Sequence, residues 1–228
     1  MQQTNRLVHG VGINDVIGPT QKFITVYDPV TGKNKPKQVW RCPFYNRWKA
    51  VLERANCKKL KIKHPTYSDV SVCEDWLRFS KFKAWMETQD WEGKQLDKDL
   101  LVVGNKHYSP ETCCFISRLT NSFVVERDSC RGALPIGVTL HKKTGKYEAQ
   151  CNDPFTGKRG YIGLYETPEQ AHEAWRKVKQ NLAEKLASMQ TDNRVAQALI
   201  SRYCIKEDDL KTKADELNEL QEIQETYS

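Results

Sequence analysis

The pattern Asp-Pro-x-Thr-Gly-Lys occurs twice in this chain, at residues 28–33 and at residues 153–158. Aspartate, proline and glycine favour tight turns, because proline fixes φ and glycine accepts a positive φ. Both turns are flanked by short stretches with strand composition: 23–27 and 38–40 around the first, 146–151 and 160–165 around the second. We therefore expect two antiparallel hairpins that use the same turn, and no internal domain repeat.

Two segments have the spacing of amphipathic helices. The first begins at Pro43, where the missing N–H of proline costs no hydrogen bond. Its apolar residues recur at helical intervals: Phe44, Trp48, Val51, Leu52 and Ala55. A second helix is expected to carry Trp76, Phe79, Phe82, Trp85 and Met86. Such an aromatic stripe is more typical of a hydrophobic core than of a base-stacking platform.

The charge is distributed unevenly along the 228 residues, whose formal net charge is +7. Residues 181–228 contain ten acids and six bases, a net charge of −4, so residues 1–180 carry +11. A body of that charge is attracted to polyanions, and phosphate contacts are the usual source of sequence-independent affinity. A solvated basic surface would have the same composition, so charge alone does not decide the function.

The composition predicts a cytoplasmic protein. No run approaches the about 18 apolar residues that a membrane span needs, and the first ten residues lack the apolar core of a signal peptide. The eight cysteines form no C-x-x-C pair and have no regular spacing, which favours reduced thiols.

Residues 96–121 read LDKDLLVVGNKHYSPETCCFISRLTN. They resemble the ββα-metal hairpin of phage HNH endonucleases, in the variant written roughly L-D-R-I-D…G-N-Y-S-P-E-N-C-R-W. The matching residues are Leu96, Asp97, Lys98, Asp99, Gly104, Asn105, Tyr108, Ser109, Pro110, Glu111, Cys113, Phe115 and Asn121. The resemblance implies a bacteriophage protein of the homing-endonuclease type, which nicks or cleaves duplex DNA in the host cytoplasm with a divalent metal.

In active sites of that family an aspartate and an asparagine hold one divalent cation, and a histidine beside the aspartate activates water. Asp97 stands at the aspartate position, whereas Lys98 stands at the histidine position and Thr112 at the asparagine position. Lysine is protonated at neutral pH and accepts a proton poorly, so Lys98 is a candidate phosphate clamp and His107 a candidate base. The candidate ligands for Mg²⁺ or Mn²⁺ are Asp97, Asp99, Glu111 and Thr112. The alternative is a structural hairpin without catalysis.

Residues 134–188 have a different character. Strands are predicted at 136–141, 146–151 and 160–165, and Thr167-Pro168-Glu169-Gln170 has the pattern of a helix capping box. The segments Gly137-Val138, Gly145-Lys146-Tyr147-x-Ala149 and Tyr161-Ile162-Gly163-x-Tyr165-x-Thr167, followed by an alanine-rich helix, resemble the ethylene-response-factor (AP-two) DNA-binding domain. The resemblance implies a three-stranded sheet packed on one helix, with one face of the sheet in the major groove.

Transfer of the contact positions of that family gives seven candidate DNA-binding residues: Thr139, His141, Lys143, Gln150, Asn152, Arg159 and Tyr161. Alternation along strands places 139, 141 and 143 on one face, and likewise 150 with 152 and 159 with 161. A solvated polar face would show the same alternation. The arginines and tryptophans of the plant domain are mostly replaced here, so its target sequence is not expected to carry over.

The last forty residues are predicted to be helical. Their apolar positions, Leu210, Leu217, Leu220 and Ile223, lie among many acids and are too few for a coiled coil. Packing on the body, formation of a homodimer and contact with a host protein through this helix all stay open.

These observations predict an α+β protein with four segments. They are a β-rich segment (1–42), helices that support an HNH-like hairpin (43–130), an ethylene-response-factor-type domain (131–188) and an acidic helical tail (189–228). The expected function is metal-dependent cleavage of duplex DNA by a homing-endonuclease-like enzyme. The alternatives are a catalytically silent DNA-binding or regulatory protein with the same fold, and a phage factor that binds a host protein through its helical tail.

Overall fold

The computed structural model describes residues 7–125 and 133–204. Within those residues the chain forms six α-helices and nine short strands in four small sheets, which confirms the α+β prediction. The chain divides into two compact units, residues 1–118 and residues 119–228. The predicted tail helix beyond residue 204, with Leu210, Leu217, Leu220 and Ile223, lies outside the described residues.

The strands of the first unit form three two-stranded sheets. In chain order its elements are β1 (Gln21–Asp28), β2 (Lys33–Arg41), α1 (Pro43–Asn56), α2 (Lys58–Lys63), β3 (Ser71–Val72), α3 (Phe79–Glu87), β4 (Gln95–Asp97), β5 (His107–Tyr108) and β6 (Cys114–Ile116). β1 pairs with β2 and β4 with β6, both antiparallel, whereas β3 and β5 are parallel. The chain between β4 and β6 therefore contributes β5 to a different sheet.

The aromatic residues of the first unit form its core, as the sequence predicted. The Trp85 ring stacks on Phe115 of β6 with centroids 5.7 Å apart, so α3 supports the β4–β6 hairpin. Trp76 is buried but lies in a 3-10 turn before α3, not in the helix as expected. The reason is Ile13, which accepts a hydrogen bond from the Phe79 N–H and donates one to the Leu77 carbonyl, so these groups are not available to a longer helix.

The two Asp-Pro-x-Thr-Gly-Lys segments form the same turn. Asp28 Oδ1 accepts the Val30 N–H at 3.0 Å, and Asp153 Oδ1 accepts the Phe155 N–H at 2.8 Å. The glycine at the fifth position has a φ of 64° in the first turn and 68° in the second, and its N–H donates to the aspartate carbonyl in both. One local solution closes both hairpins, as predicted.

The second unit contains a three-stranded antiparallel sheet. Its elements are α4 (Arg118–Val124, in this unit from residue 119 on), β7 (Val138–Leu140), β8 (Tyr147–Asn152), β9 (Arg159–Tyr165), α5 (Pro168–Ala187) and α6 (Asn193–Tyr203). The strand order is β7-β8-β9, and α5 packs on one face of this sheet. Thr167 caps α5 by accepting the Gln170 N–H at 3.3 Å, as the capping-box pattern predicted. The helix and the sheet share a small core of Val138, Ala149 and Ala171.

Lys179 of α5 joins α4 and α6. Its Nζ lies 3.5 Å from the centroid of the Phe123 ring and 5.0 Å from that of Tyr203, and it donates a hydrogen bond to the Phe123 carbonyl at 2.8 Å. A cation on aromatic faces is stabilised most where water is excluded, and Phe123 is buried.

The first strand of this sheet is shorter than the predicted 136–141. Gly137 has a φ of +80°, outside the range of a strand, and the His141 N–H already bonds the Lys146 carbonyl in the following turn. Trp175 of α5 lies so close to Gly137 that an added Cβ would be 2.1 Å from its Cδ1. The strand therefore covers only the three residues between this contact and the turn.

We expect Gly137→Ala to reduce the free energy of unfolding by about 2–4 kcal/mol, since a left-handed φ and overpacking against Trp175 both oppose a side chain. The matched control is Gly157→Ala, which has a similar φ and no heavy atom within 4 Å of the added Cβ. The control should reduce the free energy of unfolding by about 1–2 kcal/mol, because only the left-handed φ opposes its side chain. Denaturant titration followed by circular dichroism measures both, and equal losses would contradict the contact with Trp175.

Candidate hairpin site and nucleic-acid interface

Asp97 ends β4 and holds the loop that follows. Its Oδ1 accepts the backbone N–H of Asp99 at 3.0 Å and that of Leu100 at 2.7 Å. In the strand pair it lies opposite Cys114 of β6. Burial raises the pKa of Asp97 above its ordinary value, and the negative charge of Asp99 adds to that rise. The carboxylate therefore acts first as an acceptor for the backbone of its own loop.

Lys98 is tied into the same loop through Asn105. Its Nζ donates to the Asn105 carbonyl at 3.0 Å and lies 3.3 Å from Asp99 Oδ2. The Asn105 amide donates in turn to the carbonyls of Lys98 at 2.6 Å and His107 at 2.7 Å. The ammonium group thus binds the loop backbone, which is a structural use that the sequence did not indicate.

The other candidate ligands of the hairpin also have partners inside the loop. Thr112 Oγ1 donates to the His107 carbonyl at 2.7 Å and lies 3.1 Å from Ser109 Oγ. Glu111 is exposed, and a hydrogen bond from Ser109 lowers the pKa of its carboxyl group. His107 Nδ1 lies 2.9 Å from Ser71 Oγ, across the β3–β5 pair.

The candidate metal ligands Asp97 and Thr112 already take part in hydrogen bonds within the hairpin loop. Within residues 7–125 and 133–204, no group of three or more His, Cys, Asp and Glu side chains is placed to hold a metal ion. Mg²⁺ favours octahedral oxygen ligands with one or two carboxylates. Here one oxygen of Asp97 accepts two backbone amides, and the hydroxyl proton of Thr112 is donated to a carbonyl. We therefore derive no metal-dependent step from these residues.

Substitutions of Asp97 test whether its side chain stabilises the loop as a hydrogen-bond acceptor or is needed for its negative charge. The raised pKa means that this group favours folding most below about pH 3.8, its ordinary pKa, and that the contribution is lost as pH rises through the folded-state value. Asp97→Asn keeps an oxygen acceptor and carries no charge to desolvate. We expect it to be at least as stable as the wild type at pH 7 and to lose this pH dependence.

Asp97→Ala should instead cost about 1–3 kcal/mol, because the two loop amides lose their acceptor. Thermal unfolding of both variants and the wild type between pH 3 and pH 7 measures the difference. If Asp97→Asn were as destabilising as Asp97→Ala, the negative charge would be required, and accepting the two loop amides would not account for the role of this side chain.

The uncovered face of the β7–β9 sheet carries most of the predicted DNA-binding residues. Gln150 lies directly opposite Tyr161, and Asn152 opposite Arg159, in the β8–β9 pair. Residues directly opposite each other in an antiparallel pair share a face, and here these residues alternate with Ala149 and Cys151, which are buried. Thr139 of β7 is exposed and lies opposite Glu148. Five of the seven candidates are therefore brought together on one face, which we call the open face.

His141 and Lys143 are not on a strand, so their predicted alternation with Thr139 is wrong. β7 ends at Leu140, and both residues lie in the turn that leads to β8. His141 Nδ1 is 2.8 Å from Thr144 Oγ1, whereas Lys143 is exposed. They lie beside the open face, in the turn between β7 and β8, and not on its strands.

Glu148 also lies on the open face, although it was not among the seven DNA-binding residues predicted from the sequence. It lies opposite Thr139 and accepts a hydrogen bond from the Gln150 amide. The alternation that selected Gln150 and Asn152 selects residue 148 equally, so this signal was available. Its carboxylate limits the open face to a mixed polar surface, not a purely cationic one.

Comparison of the chain with protein-family models, with curated proteins and with solved structures gave no match. Among the described residues, no helix has both the length and the apolar character that crossing a membrane requires.

Proposed function

We propose that this protein binds duplex DNA through the open face of the β7–β9 sheet. The observation that supports this most is the pair of rows Gln150–Tyr161 and Asn152–Arg159, which stand side by side on the face that α5 leaves uncovered. Tyr161 is 63% exposed and adds to this face a hydroxyl-bearing ring of a type that contacts DNA phosphates.

The chemistry of the open face suits a nucleic-acid groove. Asparagine and glutamine amides bind adenine edges, and arginine binds guanine edges or phosphate. Residues 138–165 contain five bases and two acids, a net charge of +3. The bases are Lys142, Lys143, Lys146, Lys158 and Arg159. Of these, Lys146 is paired with Glu166. The remaining cations sit in the two turns and at the start of β9, where they border the open face.

The β4–β6 hairpin gives a second candidate function, metal-dependent cleavage of the bound DNA. The observation that favours it is the position of Asp97, at the end of β4 and across the pair from Cys114. The loop bonds of Asp97 and Lys98 oppose it, because Lys98 is held as a donor to the loop backbone and one oxygen of Asp97 already accepts two amides. We therefore propose a catalytically silent hairpin whose loop is a structural part of a DNA-binding protein.

Fluorescence anisotropy of a labelled mixed-sequence duplex tests the main proposal on the full-length chain. Binding should weaken steeply as salt rises, because each neutralised phosphate adds about 0.9 to the slope of log K against log salt. An absence of salt-dependent binding at low ionic strength would overturn the proposal.

A further inference from the structure

The β1–β2 hairpin is exposed on both faces, which is unusual for a sheet. All residues of the two strands are exposed except Asp28 and Gln38, which are half-buried. An isolated two-stranded hairpin is marginal in water, and a sheet normally buries one face against a core. No described element covers this hairpin, which we call the ribbon. Its surface is therefore available to a partner.

One face of the ribbon is a lysine face. The antiparallel register places Lys33 opposite Asp28, Lys35 opposite Val26 and Lys37 opposite Ile24, and Lys22 opposite Trp40. Alternation brings these residues of β1, and Lys33, Lys35 and Lys37 of β2, to the same side. A register shift between Lys22 and Phe23 brings Trp40 to that side as well. The face has four lysines and one acid, and Asp28 is neutralised by its ion pair with Lys35.

The spacing of the lysines follows from strand geometry. Residues two apart in a strand lie about 7 Å from each other, so Lys33, Lys35 and Lys37 form a straight row along β2. Exposed apolar side chains adjoin this row: Ile24 and Val26 lie beside it on β1, and Trp40 lies beyond Lys37 on β2, opposite Lys22. A row of cations beside an apolar strip is complementary to a DNA groove, where phosphates border the methyl groups and edges of the bases.

We infer that the ribbon is a second DNA contact surface, in which the lysine face binds the phosphates at a groove of the duplex. The major groove is about 12 Å wide and admits a two-stranded β-ribbon. This inference rests on the proposed DNA binding and adds to it a surface in the other unit of the chain. A second copy of this chain fits the ribbon less well, because two lysine faces repel each other and Pro36 removes an N–H from β2.

The test is a triple substitution, Lys22→Gln, Lys33→Gln and Lys37→Gln, in the full-length chain. Lys35 is left in place because it pairs with Asp28 in the turn. The matched control removes three exposed lysines from three different helices: Lys49→Gln, Lys63→Gln and Lys81→Gln. Both triple variants change the net charge equally, so a difference between them reports the position of the charges. Circular dichroism and thermal melting verify that both variants fold.

The readout is anisotropy of a labelled duplex over a series of salt concentrations. We expect the ribbon variant to bind about tenfold more weakly or worse and to lose about 2–3 from the salt slope, whereas the control loses less than about 1. A slope equal to that of the control would overturn the inference.

Two further outcomes would overturn the inference by assigning the ribbon elsewhere. The first is a loss of binding to vesicles that contain phosphatidylserine, with DNA binding unchanged. The second is a change of mass in light scattering, again with DNA binding unchanged. If the wild type itself fails to bind DNA, the proposed function fails. If wild type binds and only open-face variants weaken it, the proposed function stands and the ribbon inference alone fails.

Discussion

Alanine at Asn152, Arg159 and Tyr161 together should weaken binding of the full-length chain to duplex DNA by at least about 100-fold. Each of these exposed side chains offers one base or phosphate contact, and such contacts contribute about 1–3 kcal/mol each. Three contacts at the lower value amount to about 3 kcal/mol, and 1.4 kcal/mol corresponds to tenfold. Titration of a labelled duplex at fixed low salt, followed by anisotropy, measures the change.

The matched control for this variant is alanine at Lys177, Asn181 and Met189. It removes one cation, one amide and one large side chain from exposed positions on α5 and in the segment that follows it. Its affinity should stay within about threefold of the wild type, since α5 packs on the covered side of the sheet. Equal losses in the two variants would show that the open face is not the DNA-binding surface.

Supercoiled plasmid should remain supercoiled when the wild-type protein is added with Mg²⁺ or Mn²⁺. The Nζ of Lys98 donates a hydrogen bond to the Asn105 carbonyl, so this side chain is held as a donor in the loop and is not placed as a general base. Lys98→His is expected to remove this bond and lower the melting temperature, and not to produce nicking. Gel electrophoresis of plasmid incubated with each protein, with and without EDTA, measures the result.

One set of results would establish the second candidate function, metal-dependent cleavage of DNA by the β4–β6 hairpin. Nicking by the wild type that needs a divalent ion, survives further purification and disappears in Asp97→Ala would show that the hairpin cuts DNA. Asp97→Asn is the useful companion variant, because it keeps the loop acceptor while it removes the negative charge. Nicking that survives in both variants would come from another site or from a contaminant.

Elements that depend on neighbouring residues could be predicted from the sequence. The two aspartate turns, the start of α1 at Pro43 and the cap of α5 at Thr167 each result from side chains within a few positions. The placement of Gln150 and Asn152 on one face follows from the two-residue period of a strand. Local patterns of this kind are sufficient for element type and for side-chain direction.

Features that depend on distant residues could not be predicted in this way. β7 begins only at Val138 because Gly137 meets Trp175, and Trp76 lies outside α3 because Ile13 binds the backbone at Leu77 and Phe79. In the hairpin, the resemblance included Lys98 and Asn105 but did not show that they would bond each other across seven positions. A periodicity in the sequence carries no information about such pairs, so the bonds between Lys98 and Asn105 could be identified only from the structure.

The exposure of the ribbon has a kinetic consequence. All its pairings join residues within 21–41, and it shares no buried face with a described core. Its opening therefore requires little disruption elsewhere, and its amides should exchange with solvent by local fluctuations, well below the free energy of global unfolding. A partner that binds the ribbon must suppress this local opening and keep its two strands paired. Part of the favourable free energy of the lysine contacts is then offset by this ordering, while dissociation can proceed by local opening of the ribbon.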